Sequence, residues 1–167
     1  MQGFIKYILG FVFFVALQVL ILNNLQFSGF INPFVYIIMV MLLPFETPRW
    51  LLLVASFFLG LTIDFFSNTP GMHASATVLI GYLRPFVLKS ISPRDGYDTG
   101  TLPRIKYYGL NWFIKYVIII TLIHHSFLLF VEVFRFSSFF FTLGRIFLSS
   151  IFSIFLIIGS QYFIYKR

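Results

Sequence analysis

Apolar residues in this chain come in long unbroken runs, and the polar residues between them are few and clustered. The runs predict six spans, at about 5–22, 31–45, 50–66, 71–88, 110–134 and 139–165. Each approaches the roughly 17–25 residues that an apolar helix needs to cross a bilayer. A transmembrane barrel would instead alternate apolar and polar positions, and 34–43, 50–59 and 116–123 show no such alternation. The second run is the shortest and lies between Pro33 and Pro44. Asn32-Pro33 reads as a helix start, with Asn as cap and Pro in the first turn. A span this short would tilt little, thin the bilayer or be re-entrant. The predicted fold class is therefore all-α and polytopic, one integral membrane domain over 1–167.

Composition supports that class. The 167 residues are 59% hydrophobic and only 10% charged, against about 25% charged in an ordinary soluble domain. The net charge of +7 is spread along the chain, so nucleic acid is not an expected partner. Six spans place Lys6, Arg49, Arg84, Lys89, Arg94, Arg104, Lys106, Lys166 and Arg167 on one side, with Lys115 close to it. The other side receives Arg135 and, by snorkelling, Arg145. This bias predicts both termini in the cytoplasm, whereas five spans would part Lys6 from the basic loop at 89–108. No small-residue cleavage site follows the first apolar run, which reads as a retained span. Absence of cysteine excludes disulfides and thiol chemistry.

Candidate chemistry is sparse. Asp64 lies near the end of the third span, where an acid is costly unless it faces protein or water. With Gly60 allowing close helix approach, Ser67 beside it, and Pro70 and Gly71 starting the next helix, it reads as part of a tight turn. A ligand-binding or partner-contact role stays open. Arg145, about two turns inside the sixth span, is its candidate counter-ion. His124 and His125 are adjacent in the fifth span and point ~100° apart, so they cannot chelate one ion together. Glu132 shares the His125 face but lies ~10 Å away along the helix. Interhelical hydrogen bonding is expected of the histidines, with metal or proton transfer the alternative. Glu132 and Arg135, spaced i,i+3, are expected to pair. Arg84 is expected to snorkel, with Pro85 bending or ending the fourth span. Trp50, Trp112, Tyr107, Tyr108, Tyr162 and Tyr165 look like interfacial anchors. No hydrolase elbow, phosphate loop or zinc-protease motif is present. No catalytic residue, metal site or cofactor is predicted.

One stretch resembles a known family. Gly60, Asp64, Ser67, Pro70, Gly71, His73, Ala74, Gly81 and Tyr82 are similar to the signature of the rod shape-determining MreD family, in its Bacteroidota-type form with a His-His pair. The resemblance implies a non-enzymatic scaffold in the bacterial inner membrane. Its implied partners are MreC, the MreB filament, and the elongation glycosyltransferase with its class B penicillin-binding transpeptidase, besides membrane lipid. It also implies likeness to the substrate-binding component of energy-coupling-factor transporters, hence a second expected function in vitamin-type uptake. Ala16 stands alone among bulky neighbours in the first span, where such components often carry small-residue docking surfaces.

Overall fold

The computed structural model describes residues 2–24, 30–133 and 139–165. Within them the chain is all-α. Four helical stretches, Tyr7–Asn24, Arg49–Ser67, Ile105–Val133 and Phe139–Phe163, are long and apolar enough to cross a membrane. The protein is a multi-pass membrane protein. In chain order the helices are α1 (Gln2–Ala16), α2 (Ile38–Met41), α3 (Arg49–Ser67), α4 (Met72–Ser90), α5 (Ile105–Val133) and α6 (Phe139–Tyr165). One π turn, Leu17–Ile21, and one 3₁₀ turn, Leu22–Asn24, extend α1.

α3, α4, α5 and α6 pack each against the next in antiparallel order. α1 lies beside them, parallel to α3, because Asn23 beyond its end reaches Ser67 Oγ at the end of α3 (3.1 Å). Two ends follow from this arrangement. At the basic end lie Arg49, Lys89, Arg94, Arg104 and Lys106; at the Asp64 end, among the described residues, Arg145 is the one cation. The hydrogen bonds and backbone of Arg135, Lys166 and Arg167 lie outside the described residues.

The second predicted span is not a helical span. Residues 31–37 run non-helically, α2 is a single turn, and the chain then opens again to Pro48. The segment still traverses the bundle, since it must join the end of α1 to the start of α3 at opposite ends. An extended residue covers ~3.3 Å against ~1.5 Å in a helix, so few residues suffice. Tyr36, Ile37, Ile38 and Met41 are fully buried. The apolar run at 34–43 thus reflects burial in protein rather than contact with lipid. Irregular backbone at membrane depth is tolerated where protein surrounds it.

The α3–α4 hairpin is the tightest pairing. A Cβ added at Gly60 would stand 2.5 Å from Ala74 Cα and His73 O, and one at Gly81 would collide with Ser56 Oγ. α4 continues through Pro85 to Ser90, so the proline does not end it. Arg84 does not snorkel: it is 2% exposed and turned inward. α5 changes direction at Gly109, whose φ is 78°.

The loop after α4 is a folded element. Tyr97 stacks on Phe45 (4.2 Å between ring centres) and donates to Leu88 O at 2.7 Å. Trp112 donates to Ile91 O at 3.0 Å, and Tyr108 packs against Phe45, Tyr97 and Trp112. Trp112 and Tyr108 therefore hold the loop; Trp50, Tyr107 and Tyr162 are exposed.

Gly60→Ala is expected to lower stability by about 1–3 kcal/mol through overpacking. Gly159→Ala, with open space around it, should be neutral or slightly stabilising; thermal unfolding in detergent compares the two. Burial raises the Tyr97 phenol to about 12. Its contribution is complete below the unfolded tyrosine value of about 10 and is lost as pH rises through 12. The phenolate absorbance difference between wild type and Tyr97→Phe should accordingly develop near pH 12 and not near 10.

Candidate functional site

The polar residues of this chain converge on two places, the Asp64 turn and the interior around the unwound segment. Asp64 is 3% exposed. Its Oδ1 accepts from His73 N (2.9 Å) and Thr69 Oγ1 (2.9 Å), and its Oδ2 from Ala74 N (2.8 Å). The carboxylate of α3 thus caps α4, whose first N–H groups have no partner in their own helix and whose dipole favours a negative charge. Asn68 (φ 53°) and Gly71 (φ 83°) turn the chain through left-handed conformations between the two helices. Pro70 is exposed within that turn. Ser67 is held by Asn23 rather than by Asp64.

The expected Asp64–Arg145 pair is not formed. Asp64 is buried and engaged by three donors from the turn and α4, and α6 packs on α5 rather than on α3. Arg145 instead pairs with Glu132 at 3.1 Å. With its amide oxygen turned toward the guanidinium, Asn32 accepts from Arg145 Nη2 at 3.0 Å. Glu132 therefore bonds across the α5–α6 pair; its expected partner Arg135 lies outside the described residues.

The interior is organised by the unwound segment, whose backbone groups must be satisfied by side chains. Gln18, brought inward at the π turn, accepts from Val35 N (2.9 Å) and Tyr36 N (3.4 Å) and donates to Pro33 O (2.9 Å). Such turns often re-aim a helix at a functional position. From α6, Ser149 Oγ accepts from Asn32 N at 3.0 Å and Ser153 Oγ from Phe34 N at 2.9 Å. At the basic end Met41 O accepts from Tyr116 OH (3.1 Å) and from Arg84, which also bonds Leu43 O and Tyr116 OH.

Tyr36 then carries the segment's own polar contact. Its hydroxyl lies 2.8 Å from His124 Nε2 and 3.0 Å from His73 Nδ1. One phenol proton serves two imidazoles, so one nitrogen accepts it and the other must donate to the phenol oxygen. His124 Nδ1 has no hydrogen-bond partner among the described residues. His125 is oriented differently, as adjacent helix positions require. Its Nδ1 lies 2.9 Å from Thr121 O and its Nε2 2.9 Å from Ser153 Oγ on α6. Phe34 packs edge-on against His73 and His124 and tilted against His125. No group of three potential ligands able to hold a metal ion occurs among the described residues.

A cavity of about 290 Å³ opens at the Asp64 end. Asn23, Asn24, Asn32, Thr69 and Glu132 line it, and His73 lies at its wall. The structure thus gathers Gly60, Asp64, Gly71, His73 and Gly81 into one hairpin, and His73 with His124 onto Tyr36. Tyr82 is left apart, 57% exposed and tilted against Phe86. Sequence reasoning missed Gln18, Tyr36, Ser149 and Ser153. The serines carried a signal, being small polar residues at i,i+4 in an otherwise apolar helix, a pattern of helix contact in membranes. No known protein family, curated protein or solved structure matches the chain.

Three substitutions separate these roles. Asp64→Asn, which replaces an acceptor oxygen with a donor facing backbone N–H, should cost about 1.5–3 kcal/mol or more. Gln18→Leu should cost at least as much, because it strands three buried backbone groups, while Tyr82→Phe should change stability by less than about 0.5 kcal/mol. Unfolding of the purified proteins in one detergent measures all three.

Proposed function

We propose that the chain is a non-catalytic scaffold subunit of the MreD type, serving bacterial cell elongation from the inner membrane. In this reading it crosses the membrane six times, the unwound 30–48 segment and α4 counting as crossings. The basic end then faces the cytoplasm with both termini, following the positive-inside bias.

The observation that carries the proposal is the use made of the residues behind the resemblance. Gly60 and Gly81 permit close helix approach, Asp64 caps α4, and Gly71 makes the turn. These are architectural tasks, as a scaffold requires. Buried and turned onto the start of α4, the Asp64 carboxylate is poorly placed to meet a partner. The exposed Phe65 (79%) and Phe66 (55%) beside it are the better contact for a single-helix partner of the MreC type, by van der Waals packing. MreB, the elongation glycosyltransferase and its transpeptidase would join through that assembly.

The polar cavity at the Asp64 end favours a second reading, a substrate-binding component of a vitamin-type transporter with the corresponding fold. Mild-detergent purification with mass spectrometry of bound proteins and small molecules distinguishes the two. The scaffold reading expects MreC to co-purify, recovery to fall at least about threefold in Phe65→Ala/Phe66→Ala, in line with a modest packing loss, and depletion to round rod-shaped cells. A retained small molecule without MreC would replace it with the transporter reading.

A further inference from the structure

At the basic end, an apolar slot of about 220 Å³ lies between α1 and the buried 30–48 segment. Gly10, Phe14, Met39 and Leu42 line it, with Tyr7 and Arg104 among its walls. α1 is the least buried of the four long apolar stretches: only 17% of Tyr7–Asn24 is buried, and Leu9, Val12 and Phe13 beside the slot face outward. In a membrane the slot's open side meets hydrocarbon.

Arg104 gives the slot a polar end. Its guanidinium has no hydrogen-bond or ion-pair partner among the described residues, and its Nε is sealed from solvent. The acids nearby in sequence do not neutralise it: Glu46 accepts from Gly100 N, and the one ion pair among the described residues is Arg145–Glu132. A shielded, unpaired donor on a permanent cation is costly. The sealed Nε is out of an incoming ligand's reach, but the rest of this half-buried guanidinium lacks a counter-charge, which a phosphate oxygen supplies through charge-assisted and often paired bonds.

We propose that this slot holds an acyl chain of an anionic phospholipid, with the lipid phosphate on Arg104. The occupant is lipid rather than a soluble phosphate because the greater part of the lining is apolar and continuous with the lipid-facing side of α1. The inference rests on the membrane character of the chain and is independent of the scaffold proposal.

The test is native mass spectrometry of the full chain in detergent, titrated with phosphatidylglycerol or with phosphatidylcholine of the same chains. Wild type should retain one phosphatidylglycerol in preference to phosphatidylcholine. Arg104→Gln should weaken that binding roughly tenfold, as loss of a charge-assisted contact implies, and Arg104→Lys should restore part of it. Gly10→Leu, filling the slot against the Met39 thioether, should abolish retention while Arg104 is intact. Lys106→Gln, an exposed cation outside the slot, should leave it unchanged. Equal loss in Lys106→Gln, undiminished binding in both Arg104→Gln and Gly10→Leu, or displacement of the lipid by glycerol phosphate at equal concentration would each overturn the proposal. Unchanged elution and helicity of the variants confirm that they are folded.

Discussion

Backbone amides and carbonyls at membrane depth must find partners inside the protein, and this molecule meets the demand in an uncommon way. The segment joining α1 to α3 is not a helix that satisfies itself. It is an irregular strip with one helical turn, and its unpaired polar groups are met by Gln18 of the π turn, Ser149 and Ser153 of α6, Arg84 of α4 and Tyr116 of α5. Water cannot substitute for these bonds in a hydrocarbon setting, so the surrounding helices are fixed by the strip they enclose. Buried polarity here is spent on architecture.

The same logic governs the Asp64 turn. A carboxylate that would be expensive in lipid becomes favourable at the open N-terminus of a neighbouring helix, where two N–H groups and one hydroxyl converge on it. The close approach that brings it there depends on Gly60, since any side chain would strike the Ala74 backbone. Cap and contact are therefore one device. Removing either should loosen the other, because each sets the distance the other needs.

Periodicity and composition made the long apolar helices, the loop and the turn at Asp64 legible from sequence. They misassigned the 31–45 run, because an apolar stretch buried in protein looks the same as one facing lipid. Pro33 and Pro44 marked its ends correctly but were read as bounding a helix. The Asp64–Arg145 pair failed for a related reason: charge complementarity says nothing of which helices touch, and α6 rests on α5. Arg84 was read as reaching outward, whereas the carbonyls of Met41 and Leu43, freed by the break in helix, draw it in. Gln18 and Tyr36 were invisible because, Gln18's bond to Asn23 apart, their partners lie 15 to 88 residues away in sequence.

The serines of α6 bond to a strip 117 and 119 residues earlier in the chain, which bears on how the protein is made. While the ribosome is still producing the middle of the polypeptide, those amides have no companion and the strip cannot be left among acyl tails. Its full seating therefore awaits the last helix, which supplies the hydroxyls for Asn32 N and Phe34 N. The final helix closes the molecule as a keystone closes an arch.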